Sequence, residues 1–398
     1  MQGVLGKLKP LLLVALAAGF AWVAAPALST ARYVPRAVDF EQRLPAVARL
    51  DAGKGPAEYR SRVLVAPKRF DLVGLAGELR ALEIRARDAG GEWSDWIETE
   101  DGNPIYFGGA DELQLRARGW EPRGRLHYVN VSGNTTDAGG LLTGARKAIN
   151  SGFISIAGVV SPATAHAVPA RPAIITRAAW GADEAKGGCP PRTGPSFGRV
   201  KAAAVHHTVT ANDYSEAEAA GIVLGICRFH RNGNGWNDIG YNALVDNYGN
   251  VYAGRAGGVR KAVVGAQAQG FNAQTTGVAT IGNHTQTPIT PATRRAVVEY
   301  LAWKLTVHRL SARGKTTMVS AGGEASRYPA GRRVRTNKII GHGTVGLTAC
   351  PGEALEAEMP KLRRLVQRRI DQGGGPAEPP PPPPEDDGGG VIPPPIPK

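Results

Sequence analysis

The sequence predicts an α/β protein: a mixed central β-sheet flanked by helices, preceded by a small antiparallel β-sandwich domain. Three observations carry this expectation. LEIRAR (82–87), ELQLRAR (112–118) and LHYVNVS (126–132) alternate apolar and polar residues between turn-forming stretches such as GGEWSDW and FGGADE, the pattern of short antiparallel strands. From residue 173 onward, apolar β runs alternate with amphipathic helical segments. Segments rich in Gly, Ala, Ser and Pro divide these regions and follow the last helix.

In chain order, MQGVLGKLKP supplies Lys7 and Lys9 ahead of the apolar LLLVALAAGFAWVAA and the small-x-small triplet Ala25-Pro26-Ala27. The apolar stretch is short for a membrane span and has the flanks of a signal peptide, so residues 1–27 are expected to be removed on export. No cysteine follows it, which argues against a lipid anchor, and no integral membrane association is expected after cleavage. Residues 28–132 form the expected β-sandwich-like domain. Trp93, Trp96 and Trp120 could build a carbohydrate-stacking face there, but tryptophans of a small sandwich more commonly fill its core. Residues 133–172 read as a linker. The tail, 372–398, contains PPPPPP and GGG, cannot bury a core, and reads as a disordered or polyproline-type spacer.

The region 173–371 carries the larger α/β domain. VKAAAVHH (200–207) is an apolar strand ending on two histidines. Ser215-x-x-Glu218 is a capping box that opens a helix with Ile222, Ile226 and Phe229 on one face. YNALVDNYGNVYAG (241–254) reads as a hairpin turning at 247–250, and GVATIGN (277–283) as a buried strand. Thr290-Pro291 caps a second helix with Val297, Leu301 and Leu305 in line. KIIGH (338–342) is another strand, and a last helix aligns Leu355, Met359, Leu362, Val366 and Ile370.

A formal net charge of +14 and a sequence pI near 9.9 favour an anionic partner. The chain has no basic run interleaved with aromatics, so nucleic acid is not expected; for an exported protein, anionic cell-wall polymers are. Three cysteines, an odd number in an exported chain, imply one disulfide and one thiol with other work such as metal ligation.

In GHGTVGLTACPG (341–352), His342 ends an apolar strand as His206 does, and Cys350 sits before a Pro-Gly turn. Two imidazoles and a thiolate form a donor set suited to Zn²⁺ with a fourth position open. The spacing alone does not single out metal chemistry, since neither HExxH nor CxxC is present.

AAWGADE (178–184), VHHTVT, GWNDIGYNALVD, YAGRAGG and ACPG, in that order, resemble the type 2 N-acetylmuramoyl-L-alanine amidases, relatives of the peptidoglycan recognition proteins and of phage amidase-type lysozymes. The resemblance spans roughly residues 174–370, and the N-terminal domain is similar, less specifically, to one found in secreted actinobacterial members. It implies an amidase/peptidoglycan recognition fold and a Zn²⁺ cofactor held by His206, His342 and Cys350. Tyr241 matches the family's active-site tyrosine, placed to orient the attacking water or take its proton. Thr348 falls where members contact the reacting carbonyl. The implied reaction is hydrolysis of the amide between N-acetylmuramic acid and L-alanine, with a peptidoglycan stem as partner. The alternative is a non-catalytic peptidoglycan-binding protein using the same groove. Strand alternation makes His206 rather than His207 the ligand, because successive residues point to opposite faces. With Cys350 assigned to the metal, Cys189 and Cys227 are the disulfide candidates. His230, His284 and His308 are read as structural or surface residues. Gly343 and Thr344 stand where many members carry Arg and Asp, and Ala253 where many carry Glu.

Overall fold

The structure is a computed structural model that describes residues 36–50, 55–99, 102–132 and 169–373. The expected signal peptide, nearly all of the linker and the proline-rich tail lie outside the described residues. Among the described residues no helix is long and apolar enough to cross a membrane.

The N-terminal region is antiparallel β throughout: β1 (Val38–Arg43), β2 (Ala48–Leu50), β3 (Glu58–Arg60), β4 (Leu64–Leu75), β5 (Glu83–Arg87), β6 (Ile97–Glu98), β7 (Ile105–Arg118) and β8 (Arg125–Asn130). They hydrogen-bond into one continuous sheet, along the path β1-β8-β4-β7-β3-β2 with β5 and β6 beside β7, rather than into two separate sheets. The long β4 and β7 change register near Phe70, and such irregularities bend a strand. The sheet thereby curls around Phe70, Ile84, Ile105, Leu113, Leu115 and Tyr128, all buried.

Of the tryptophans, Trp120 packs against this core. Trp93, Trp96 and Trp120 are half-buried and stacked against guanidinium groups: Arg85 lies 4.7 and 4.6 Å from the Trp93 and Trp96 rings, Arg116 4.4 Å from Trp96, and Arg80 3.9 Å from Trp120. Such guanidinium–indole stacking is a cation–π contact.

The second sheet is mixed, in the order β16-β10-β13-β11-β12-β9. It comprises β9 (Ile174–Ile175), β10 (Ala202–His207), β11 (Ala243–Val245), β12 (Val251–Ala253), β13 (Thr275–Thr280) and β16 (Ile339–Gly341); β14 (Lys315–Val319) and β15 (Arg333–Asn337) form a separate hairpin. Strands β16, β10, β13 and β11 run parallel, and all of their residues are buried, as fits a sheet covered on both faces. Helices α2 (Pro291–Val307) and α3 (Glu353–Gln372) pack Val297, Leu301, Leu355 and Met359 on one face, against Ala203, Val205 and Val278. Helix α1 (Glu216–Arg228) covers part of the other face, packing Ile222 and Ile226 with Leu244, Tyr252 and Ala279. The capping signals hold: the Glu218 carboxylate accepts from Ser215 N–H at 2.7 Å, and Thr290 Oγ1 accepts from Thr293 N–H at 3.0 Å.

Helix α1 also supports the first sheet. Residues 221–227 are all buried, because Leu72, Val129 and Val131 press on the side turned away from the mixed sheet. Gly225 permits this approach: a Cβ there would lie 2.3 Å from Leu72 Cδ1. At the rim, Arg228 Nε binds Asp39 Oδ1 at 2.6 Å, and Tyr106 O–H donates to Glu218 Oε1 at 3.0 Å. Burial acts to raise the Asp39 carboxyl, but hydrogen bonds from His127, Arg228 and Asn232 outweigh it and hold the group below the ordinary carboxylate range. The antiparallel sheet and the mixed sheet therefore share one hydrophobic cluster with α1 between them.

Cys189 and Cys227 form a disulfide, with their Cα atoms 6.2 Å apart. It ties the segment before β10 to α1 and closes a loop with a sequence separation of 38. In the chain-entropy view, a closure of that length stabilises the fold by about 4 kcal/mol.

Candidate metal centre and active site

Parallel pairing places the site. Val205 of β10 is in register with Gly341 of β16, so the next residues, His206 and His342, emerge side by side at the carboxyl edge of the sheet. Ligand sites of open α/β sheets gather at that edge. Alternation then separates the two adjacent histidines. Ala203 and Val205 face the α2–α3 core, and His207 follows them; its Nδ1 accepts from His284 N–H at 3.1 Å. His206 projects from the opposite face, where its ring centroid lies 4.6 Å from that of His342.

Cys350 closes the group. After β16 the chain makes a short 3-10 turn at 342–344 and loops back, so that Gly343 N–H donates to Cys350 O at 2.7 Å. Thr348 Oγ1 accepts from Cys350 N–H at 3.0 Å, fixing the turn that aims the thiol. Gly352 lets this loop pass against the 284–285 backbone: its φ is +87°, and a Cβ would meet His284 C at 2.4 Å. His206, His342 and Cys350 each offer a ligand atom within 4.8 Å of the others, and all three are buried. In this loop, which carries Gly343 and Thr344, Arg327 donates to the carbonyls of Gly343 and Gly346, at 3.1 Å each, and holds the loop from outside.

The donor geometry fits a small tetrahedral cation. Cys350 Sγ and His206 Nδ1 are 3.6 Å apart. With bond lengths near 2.3 Å for sulfur and 2.0–2.1 Å for nitrogen, the corresponding edge of a zinc tetrahedron is about 3.6 Å.

Sequence reading did not find Gln267, which sets the tautomer of His206. Its Nε2 donates to Thr275 Oγ1 at 2.8 Å, so its Oε1 is the atom presented at 2.6 Å to His206 Nε2. The His206 proton therefore sits on Nε2, and the Nδ1 lone pair turns toward Cys350. Gln267 lies in GAQAQG, a loop segment without a periodic signal.

Tyr241 stands beside this group, its ring centroid 5.2 Å from that of His206. The GWNDIGYN motif explains its placement. Asp238 binds Arg177, Ile239 N–H and Ala256 N–H, while Asn242 Oδ1 accepts from Gly277 N–H at 2.7 Å and anchors the next residue to β13. Together with Leu79, Asn103, His230, Trp236 and Gln269, Tyr241 lines a pocket of about 150 Å³ that includes His206 and His342. His230 thus lines the pocket, and Leu79 and Asn103 come from the antiparallel sheet region. His284 is buried, with Nδ1 3.0 Å from Thr287 O, and burial pushes it down to about 4. His308, at the end of α2, is likewise pushed down to about 4 by burial and then by Lys304 and Arg260. Neither lines the pocket.

Residues 196–353 match the sequence profile of the N-acetylmuramoyl-L-alanine amidases. Peptidoglycan-recognition protein SC2 of Drosophila simulans and of Drosophila melanogaster is 33% identical over 152 residues, which cover 38% of this chain and 67% of the relative. The chain belongs to the N-acetylmuramoyl-L-alanine amidase and peptidoglycan recognition protein family. Among solved structures, peptidoglycan recognition protein-LE in complex with tracheal cytotoxin is 26% identical, with a TM-score of 0.37 over 47% of this chain and 92% of that one. An endolysin N-acetylmuramoyl-L-alanine amidase from Clostridium intestinale is 20% identical, with a TM-score of 0.34 over 49% and 97%. The family match covers the mixed sheet from β10 through β16 and ends at the first residue of α3, so it takes in every donor and pocket residue named above except Leu79 and Asn103.

Proposed function

We propose that the protein is an exported zinc-dependent amidase that hydrolyses the bond between N-acetylmuramic acid and L-alanine in peptidoglycan. The observation that carries this reading is the buried trio His206, His342 and Cys350, with two of its donors spaced as a zinc tetrahedron requires, beneath a pocket bordered by Tyr241. A structural zinc site commonly uses four protein ligands; three donors below a pocket leave a place for chemistry. When bound, zinc supplies Lewis acidity to the scissile carbonyl and lowers the pKa of water.

The chain's own residues supply the rest. Gln267 keeps the His206 Nδ1 lone pair directed at the metal position. Tyr241 lines the pocket beside His206 and orients the water that attacks the amide. Thr348, held by Cys350 N–H, offers its hydroxyl to the oxygen on which charge develops, a contribution of about 3 kcal/mol when such a donor is preorganised. Burial of all three metal donors excludes bulk water and strengthens these interactions.

Peptidoglycan is the proposed partner because the matched relatives are peptidoglycan recognition proteins, one of them seen with tracheal cytotoxin. The +14 charge adds attraction to anionic wall polymers, and the N-terminal segment supports export. We take 28–132 as the wall-side β domain, 133–172 as the linker, 173–371 as the amidase domain and 372–398 as a spacer.

The test is mass spectrometry of sacculi incubated with the purified chain, with zinc and with a chelator. Zinc-dependent release of peptides bearing a free N-terminal L-alanine is the expected result. Sacculi that retain the protein and release no peptide would instead establish a binder that uses the same groove.

A further inference from the structure

Asn103 belongs to the antiparallel sheet region, yet it is buried in the pocket against the tyrosine that the family match supplies. Three hydrogen bonds fix the proton directions along the chain from Gly240 through His230 and Asn103 to Tyr241. Gly240 N–H can only donate, and it donates to His230 Nδ1 at 3.2 Å. The His230 proton is therefore on Nε2, which lies 3.1 Å from Asn103 Oδ1. That donor requires the amide oxygen, not the amide nitrogen, at this position. The Tyr241 hydroxyl lies 2.9 Å from the same oxygen and so must donate to it. The His230 ring is held neutral throughout, because burial and then Arg255 push it down to about 3, and Trp236 stacks on it at 4.6 Å.

With its only proton committed to Asn103, the Tyr241 hydroxyl can meet a reacting group solely as an acceptor. We propose that Asn103 is a positioning residue for hydrolysis, orienting the Tyr241 hydroxyl so that it accepts from the attacking water, and that the antiparallel sheet thereby completes the active site. This rests on the amidase reading above. The placement of Asn103 is itself secured from both sides. Asn234, just beyond α1, donates to Gly102 O at 2.8 Å and accepts from Gly77 N–H at 3.3 Å, which pins the loop carrying Asn103 to the segment carrying His230. The antiparallel sheet region thus delivers one atom, Asn103 Oδ1, to the corner that holds Tyr241.

The experiment uses the full chain and a soluble muramyl peptide, with kcat and KM measured for wild type, Asn103→Leu, Asn103→Asp, Tyr241→Phe and the Asn103→Leu/Tyr241→Phe double variant. Zinc content and thermal midpoint are recorded for each. Asn103→Leu is expected to lower kcat about tenfold with KM within twofold and full zinc content. Asn103→Asp, which keeps an acceptor oxygen in place, retains at least a third of the wild-type kcat. The double variant is expected to be no slower than Tyr241→Phe alone, since contacting residues that act through one group are not additive. Wild-type kcat in Asn103→Leu, or losses that multiply in the double variant, would overturn the assignment while leaving the amidase reading intact. A wild-type chain with no turnover overturns both.

Discussion

Cys350→Ala abolishes hydrolysis and leaves muropeptide binding nearly unchanged. The thiol is 2% exposed, and among the described residues it completes the His206–His342–Cys350 trio. Alanine removes one of the three proposed metal donors and introduces no charge. A loss of at least 10³ in kcat is expected, equivalent to about 4 kcal/mol of transition-state stabilisation. Binding is expected within about threefold of wild type by titration calorimetry, because the pocket wall formed by Leu79, Asn103, Trp236 and Tyr241 does not include Cys350. The fold should survive, since a buried thiol that becomes alanine leaves only a small cavity. Wild-type turnover in this variant would remove Cys350 from the chemistry.

The second large effect belongs to a residue that bears no proposed catalytic role. Gln267→Met conserves volume but deletes the oxygen that receives the His206 Nε2 proton. Without it, His206 can shift its proton to Nδ1, the nitrogen facing Cys350, and lose the lone pair needed for ligation. Removing such an outer partner commonly costs 10- to 100-fold in metal affinity. Competition with a chromophoric chelator should therefore show zinc held 10- to 100-fold more weakly, with activity restored by excess zinc. Unchanged affinity would mean that packing alone sets the His206 orientation. The contrast with Cys350→Ala separates a ligand, whose loss added zinc does not repair, from a residue that only orients one.

The legibility of this site follows from how its residues are held. His206 and His342 each end an apolar strand, and parallel strands bring such ends to one edge, so residues far apart in sequence could be paired from pattern and motif. The preference for His206 over His207 needed only the two-residue alternation. Tyr241 came with its motif, and Asp238, Asn242 and Arg177 now give that motif a structural reason. Gln267, His230 and Asn103 were not legible as site residues. Each enters through packing between elements, and no local period marks a glutamine in a loop or an asparagine before a strand.

One signal for the contact between the sheets was present. The stretch AAGIVLGIC in α1 is apolar around the whole helix, whereas a helix covering a single sheet needs only one apolar stripe. Ile222, Ile226 and Phe229 make up one apolar stripe, and Val223, Leu224 and Gly225 lie outside it. They are buried because Leu72, Val129 and Val131 cover the far side. Similarly, alternation marked β5, β7 and β8, but the curl of their sheet arises from register shifts near Phe70 that the local sequence does not announce. The tryptophans were ambiguous for a different reason: their guanidinium partners lie on neighbouring strands, and strand pairing could not be read from composition.

The central claim is that His206, His342 and Cys350 form a zinc centre able to do chemistry, and zinc-edge X-ray absorption of the purified full chain tests it most directly. One zinc per chain is expected, bound by two nitrogens near 2.0 Å and one sulfur near 2.3 Å, with a further light-atom ligand from solvent. The sulfur shell is expected to be missing from Cys350→Ala. A zinc shell without sulfur in the wild-type chain, or the same sulfur shell in Cys350→Ala, would contradict it.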